Sequence, residues 1–450
     1  MRRSEAPRLF HALADTIGPR LSGSPGHIAA ARWAVDQLKG WGLTDAHLEP
    51  FEFGRGWTLE KLTVEMTAPR YTPLLAYAEA WSPATKGVVT GVPLYVGDLS
   101  AEEIDRLGAR VRGAIVLAYR PQTEFLRSDR MDPSLGSPVK TGNPPYPDAS
   151  SATPAATLLA RLRALGAAVA LRPGAMEHGT VRVQGNRATL PDAVPSVVLA
   201  AEQYNMLVRL AQAKTPVRVR VEVGTRFQAG PDSYNVLADL PGSDPVLRDE
   251  VVFVGAHLDS WHTAAGATDN ADGVAATMEA IRILTTLGAR PRRTIRVALW
   301  SGEEQGMLGS NAYVAARLRD EAARGRISVY LNDDPGTGLT YGFYMQGNEA
   351  AKNVFDGWLE PLRDLGVRRN VIEGINATDH LAFDEAGIPA FTVIKDFRAY
   401  DTRTRHTNAD YADAVTDDDL KQSATVLAAV IWQAATRDEP IPRRRSQPSK

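Results

Sequence analysis

The 450-residue chain contains no cysteine. That absence removes disulfide stapling, thiolate nucleophiles, CxxC redox chemistry and Cys-ligated zinc, so any metal must be held by histidine and carboxylate. An excess of one charge is also missing: 51 Lys and Arg stand against 53 Asp and Glu, a net charge of −2. A nucleic-acid binder would show a basic stripe and a high isoelectric point instead. Long apolar runs are the third absence, since nothing approaches the roughly 18 to 20 residues needed to cross a bilayer. The start, MRRSEAPRLFHALADTIG, passes from two arginines into Ser, Glu and Pro rather than into the apolar stretch of a secretory leader. Neither a nucleic acid nor a membrane is therefore expected as a partner. What is present, 44% hydrophobic and 23% charged residues, is the balance of a globular protein with a large core. At roughly 150 residues per domain the length implies two or three domains.

The texture of the chain changes twice. After the Gly-rich turn Ser22–Gly26, the apolar spacing of Ala29–Leu38 predicts a helix. Residues 87–226 read as an inserted β-rich domain: short runs at Gly91–Val96, Ala114–Ala118, Ala167–Leu171 and Pro195–Leu199 surround one helical segment, Ala155–Leu165, and Ser134–Pro154 reads as a long exposed loop. The flanks, 1–86 and 227–440, form one discontinuous larger domain. There the apolar strands Val251–Ala256, Thr294–Trp300, Ile327–Leu331 and Pro389–Ile394 alternate with helices at Val274–Leu287, after Gly309 and at Ala424–Ala435. This alternation predicts an α/β fold with a mixed, mainly parallel sheet flanked by helices. The tail 441–450, with its Arg443-Arg444-Arg445 run, reads as a disordered, solvated charge run.

Four of the eight histidines, His257, His262, His380 and His406, fall in the larger domain just outside predicted strands, where α/β sheets place ligands. The run VVFVGAHLD releases His257 at a strand end with Asp259 two residues on. A carboxylate at that spacing can accept from the outer imidazole nitrogen and fix the tautomer. Alone, HxD is a weak signal, because a strand-end histidine is more often structural. The segment GATDNADG at 266–273 is turn-rich, and its Asp and Asn also suit helix capping. WSGEEQG at 300–306 shifts the weight. Adjacent carboxylates repel and point in different directions, so one can bind a cation while the other faces a substrate as general base. Asn332-Asp333-Asp334-Pro335-Gly336 and Arg405-His406-Thr407-Asn408-Ala409-Asp410 are singly ordinary, as a turn and a helix cap. Together the segments supply His, Asp, Glu, Asp and His from successive strand ends, an all-N/O donor set that suits zinc, cobalt or manganese. Five donors and water suffice for two metals sharing one carboxylate, about 3.5 to 4 Å apart.

The runs HLDSW (257–261), GATDNADG (266–273), SGEEQGMLGS (301–310), TDHLAFDEAGIPA (378–390) and HTNAD (406–410) occur in this order. They resemble the co-catalytic zinc exopeptidases of metallopeptidase family 28, and within it the carboxypeptidase Q-like branch. The β-rich insert resembles the protease-associated domain that many of these enzymes carry. The resemblance implies two zinc ions, with cobalt or manganese as substitutes: His257 and Asp334 on one, Glu304 and His406 on the other, Asp269 bridging. It makes Glu303 the general base and has Asp259 orient His257 and Asp410 orient His406. Asp333 competes with Asp334, and the family's Asn-x-Asp pattern falls on Asn332 and Asp334. Tyr400, as an oxyanion donor, and His380 are the substrate-side candidates. Two departures stand out: Arg405 where related sequences often have a second histidine, and His262 where some have an aspartate. The implied activity is release of N-terminal residues, or cleavage of dipeptides, from short peptides with a free N-terminus. The same resemblance carries an extracytoplasmic location and a homodimer as expectations. Two other readings share the scaffold: a non-catalytic binding protein that has lost its ligands, and a glutaminyl cyclase-like acyltransferase with one zinc. The complete donor set, with Glu303 beside it, counts against both.

Overall fold

The computed structural model describes residues 3–130, 144–228, 230 and 232–444. Seven strands pair in the order Thr44–Glu52, Asp232–Leu240, Thr294–Trp300, Val251–His257, Ile327–Asn332, Ala390–Asp396 and Thr337–Tyr344. The four strands from Thr294–Trp300 to Ala390–Asp396 pair in parallel, and the outer pairings are antiparallel. The expected mixed sheet flanked by helices is thus present, with its parallel part confined to the centre.

Alternation along the central strands explains the two helical layers, because successive side chains leave opposite faces of a sheet. Val252, Val254 and Ala256 enter one core with Ile295, Val297 and Leu299, and with Val35, Val274, Ile281, Phe355, Leu427 and Ile431 of the covering helices. Those helices are Pro25–Gly40, Asp272–Thr286, Glu349–Leu359 and Asp417–Thr436. On the other face Phe253, Trp300 and Tyr330 pack with Tyr313 and Phe383, from helices Leu308–Arg317 and His380–Glu385. Both faces being covered, the strands read as continuous apolar runs, and their carboxyl ends are the first places where polar residues emerge. The last helix is started by Thr416, whose side chain accepts from Asp419 N, with three aspartates in its first turn where the helix dipole favours negative charge.

Residues 56–228 build two further sheets. One pairs Gly56–Ala68 with Arg218–Gln228 along most of their lengths and adds Thr72–Pro73 and Val89–Gly91. The other orders Ala76–Ala78, Ser196–Leu199, Val169–Pro173, Ile115–Leu117 and Leu94–Tyr95. Strand pairing therefore starts the insert near residue 56, upstream of the expected boundary at 87. Composition shifts at 87, but pairing follows a partner far along the chain. The loop expected at 134–154 falls partly on 131–143, outside the described residues; 144–154 forms neither helix nor strand.

The tail also departs from expectation. Ile441 is buried in the main core, Arg443 donates to the carbonyls of Gly387, Arg324 and Ile327, and Arg444 donates to Gln346 O. Residues 441–444 are thus pinned by one apolar anchor and carbonyl acceptors, while 445–450 lie outside the described residues. Among the described residues no helix is long and apolar enough to cross a membrane.

Candidate metal centre

The central sheet delivers His257 as the last residue of the strand Val251–His257. Its Nδ1 lies 3.0 Å from the carbonyl oxygen of Asp259 and 3.7 Å from that residue's Oδ1. Asp259 therefore orients the ring chiefly through its backbone, while its carboxylate accepts from Glu303 N at 3.3 Å. The Nδ1–H tautomer this favours turns Nε2 toward Asp269 Oδ1 at 3.2 Å and Asp334 Oδ1 at 3.7 Å. Asp269 lies in the turn before helix Asp272–Thr286, where Asn270 donates to Asp333 O at 2.8 Å and accepts from Gly273 N at 3.1 Å. Gly273 is required there: a Cβ would meet Asn270 Oδ1 at 2.3 Å and Asp333 O at 2.5 Å. Of the competing aspartates, Asp334 joins His257 and Asp269. Asp333 instead pairs with Lys395 at 2.7 Å, which also holds Asp272 at 2.9 Å.

The second oxygen of Asp269 faces a different partner. His406 Nε2 is 3.0 Å from Asp269 Oδ2 and 2.9 Å from Glu304 Oε2. Glu304 is held by Trp261, whose Nε1 donates to Oε2 at 2.8 Å. His406 has a φ of 59°, a left-handed conformation that side chains adopt only when the surroundings enforce it. Here the enforcement comes from the insert. Val183 N donates to His406 O at 3.0 Å, Asn408 N to Val181 O at 3.2 Å, and Arg182 bridges antiparallel to Thr407. The outer ring nitrogen of His406 is met by the Gln184 side-chain amide at 3.0 Å and by Arg182 Nη2 at 3.2 Å. The same loop is gripped again by the insert: Arg130 makes a buried bidentate pair with Asp401, and Asp129 accepts from Ala399 N and Thr402 N.

Glu303 belongs to the turn after Thr294–Trp300, and Ser22 Oγ accepts from the preceding Gly302 N at 2.8 Å. Burial holds the Glu303 carboxyl well above the usual range; His257 opposes this, and Asp334 and Glu304 add to it. Burial would also raise Asp269, but its contacts with His257 and His406 overturn that and hold it well below the ordinary value. The two groups are therefore driven apart, the pattern of an acid–base partner beside a permanently ionised ligand.

The donor set fits a metal pair. His257, Asp269 and Asp334 converge in one group and Asp269, Glu304 and His406 in another, and all donors are N or O, as zinc accepts. His257 Nε2 and Glu304 Oε1 are buried without a hydrogen-bond partner, a costly state that a cation relieves. Trp261, Asp269, Glu304 and His406 line a cavity of about 10 Å³, the scale of one water or ion.

The remaining candidates separate. Tyr400 is buried and its phenol is pushed well up, by burial first and then by the charge of Asp269, so it stands within the field of the shared carboxylate. His380 is fully buried, neither ring nitrogen has a partner among the described residues, and burial pushes it down to about 3; it belongs to neither donor group. Asp410 does not orient His406 either; its Oδ1 accepts from Thr268 N at 2.8 Å. His262 turns away, Nε2 to Ala78 O at 2.8 Å. Trp261, Gln184, Arg182 and Lys395 were not singled out as site residues. Trp261 stood inside the HLDSW run and Lys395 at the end of an apolar strand, both readable signals. Gln184 and Arg182 approach across domains and leave no local trace.

Residues 235–431 match Peptidase family M28. Carboxypeptidase Q of Bos taurus is 27% identical over 435 residues, covering 96% of this chain and 85% of the relative. Among solved structures, a Peptidase M28 precursor from Shewanella amazonensis SB2B superposes with a TM-score of 0.72 at 22% identity, covering 99% of this chain and 95% of that one. BSAP, a zinc aminopeptidase from Bacillus subtilis, does so with a TM-score of 0.64 at 18% identity, covering 97% and 95%. With the donor clusters lying inside the matched segment, the chain carries a Peptidase family M28 domain over residues 235–431 and is similar along nearly its whole length to carboxypeptidase Q.

Proposed function

We propose that this protein is a dinuclear zinc exopeptidase that removes N-terminal residues from short peptides or splits dipeptides. The observation that carries the reading is Asp269, whose two oxygens reach His257 and His406 separately, at 3.2 and 3.0 Å. Asp334 completes one side and Glu304 the other. When bound, the ions supply Lewis acidity toward the scissile carbonyl and a water acidic enough to attack near neutral pH. Glu303 takes the proton of the attacking water and delivers it to the leaving amine, which is otherwise too basic to depart. Tyr400 donates its phenolic O–H to the carbonyl oxygen as charge develops there. The insert, docked on the His406 loop, bounds the site on one side and restricts it to chain ends.

Metal analysis of the purified protein is expected to find about two zinc ions per chain. Glu303→Gln is expected to keep both ions and to lose hydrolysis of aminoacyl anilides and dipeptides by a factor of order 10² to 10⁴. Full activity in that variant removes Glu303 from the mechanism, and one ion per chain removes the shared carboxylate.

A further inference from the structure

Arg20 is fully buried, and no step of the hydrolysis uses it. It precedes the Ser22–Gly26 turn and lies outside the segment matched to Peptidase family M28. Among the described residues its guanidinium makes no ion pair and is satisfied by backbone carbonyls instead. Nε donates to Leu258 O at 2.9 Å, Nη1 to Ala265 O at 2.7 Å and Gly18 O at 2.9 Å, with Leu13 O at 3.4 Å, and Nη2 to Gly266 O at 2.8 Å. The main chain joins in: Arg20 N donates to Ser260 Oγ at 3.1 Å, and Ser260 N to Arg20 O at 3.3 Å.

Residues 258–268 connect two donors, His257 at the strand end and Asp269 in the turn before helix Asp272–Thr286. Leu258 adjoins the first donor and Gly266 comes shortly before the second, so one planar fork holds the loop near both ends. Converging carbonyl oxygens repel, and where water is excluded a donor must stand between them. A guanidinium spreads five N–H groups over a fixed plane, which the three of an ammonium cannot reproduce. Close packing completes the turn: Gly266 has a φ of 59°, and a Cβ there would collide with the Ser260 side chain. Burial pushes Arg20 down to about 10, against the pull of Asp410, Asp259 and Asp269 through space, so it is charged at neutral pH. That cation stands beside the acids without capping them, which leaves Asp269 to face His257 and His406. Two positions on, Ser22 Oγ accepts from Gly302 N in the turn that carries Glu303 and Glu304.

We propose that Arg20 is a positioning residue of the metal centre: by clamping both ends of the 258–268 loop it sets the separation of His257 and Asp269 before an ion arrives. The proposal rests on the metal reading of the donor cluster and adds to it a part supplied from outside the matched segment. Donors already held in place lose little freedom on binding, so loss of the clamp costs metal affinity and not only fold stability.

Arg20→Lys keeps the charge and loses the fork. In competition with a chelator it is expected to bind zinc about 10- to 100-fold more weakly than the unaltered protein, the loss that follows when the outer support of a ligand is removed. Unchanged affinity overturns the proposal. Arg20→Ala is expected to lose as much, and millimolar ethylguanidinium, which replaces the removed atoms, is expected to restore affinity where urea does not. Failure of that rescue, or equal rescue by urea, assigns the loss to altered packing and overturns the clamp. A purely structural arginine would lower unfolding stability and leave the affinity of the folded protein unmoved. If the unaltered protein takes up no zinc the metal reading fails instead, and hydrogen exchange without metal decides the clamp. The amides of Ser260 and Ala271, bonded to Arg20 O and Gly266 O, are then expected to exchange about tenfold faster in Arg20→Lys, as for weakened buried hydrogen bonds. The Asn408 amide, bonded to Val181 O, is expected to keep its rate. Equal exchange at Ser260 and Ala271, or a rise shared by Asn408, refutes the clamp. Where neither Arg20 variant folds, Ser260→Ala, which removes the acceptor of Arg20 N, carries the same zinc and exchange measurements with the same deciding outcomes.

Discussion

The two ends of the donor cluster are built by different means. His257 closes a central strand, and its ring is held by a residue two positions along the chain. His406 sits on a loop in a left-handed conformation, and its ring, its carbonyl and its neighbours are held by Gln184, Val183, Val181 and Arg130 of the insert. One half-site comes with the sheet. The other is held by contacts from residues 130–184, so perturbations there are expected to separate the two.

The strongest separation is expected from Arg130→Met, which strands the buried Asp401 charge. Removing one partner of a buried pair costs about 3 to 5 kcal/mol. Chemical unfolding is expected to show that loss, and zinc content to fall from two toward one while the His257 side stays filled. Equal loss of both ions denies that the halves are separable. A smaller effect is expected of Gln184→Leu. Removing the outer partner of a ligating histidine weakens metal affinity about 10- to 100-fold, and competition with a chelator is expected to release one ion early and leave the second at its normal affinity. Release of both together places Gln184 outside this role.

The smallest effect concerns the His257 side. His27 is fully buried with neither nitrogen paired, and burial pushes it down to about 4. Its folded value lies below the unfolded one near 6.5, so its contribution to stability is intact above pH 6.5 and drains away as pH falls toward 4. The slope is at most about 1.4 kcal/mol per pH unit. In chelator-treated protein, His27→Leu is expected to flatten the pH dependence of unfolding in that window by this amount; an unchanged slope assigns the acid sensitivity elsewhere.

The difference between the half-sites also decides what the sequence makes legible. Strands such as Val251–His257 and Thr294–Trp300 announce themselves as largely apolar runs with polar residues at or just past their ends, His257 and Asp259 in one case and Ser301, Glu303 and Glu304 in the other, so the donors there can be read locally. Asp334 against Asp333 is decided by Lys395, which comes to them from a neighbouring strand. Gln184 and Arg182 lie more than 200 positions from the histidine they touch, and no periodicity encodes that meeting. The burial of His380 is hidden for the opposite reason: it stands in a polar run, Thr378-Asp379-His380, yet all three are buried. The start of the insert is missed because Gly56–Ala68 is matched to Arg218–Gln228 by pairing across the whole unit. Ile441, one apolar residue in a basic tail, is too small a signal to reveal an anchor.

The antiparallel bridge between Arg182 and Thr407 bears on how such a molecule can be re-engineered. Trimming the insert to widen the entrance would unfasten the backbone that presents His406, and the cost would appear as lost zinc before any gain in substrate range. A chimera borrowing its insert from a relative would have to transplant 179–184 together with the 399–408 loop, since each is the mould of the other.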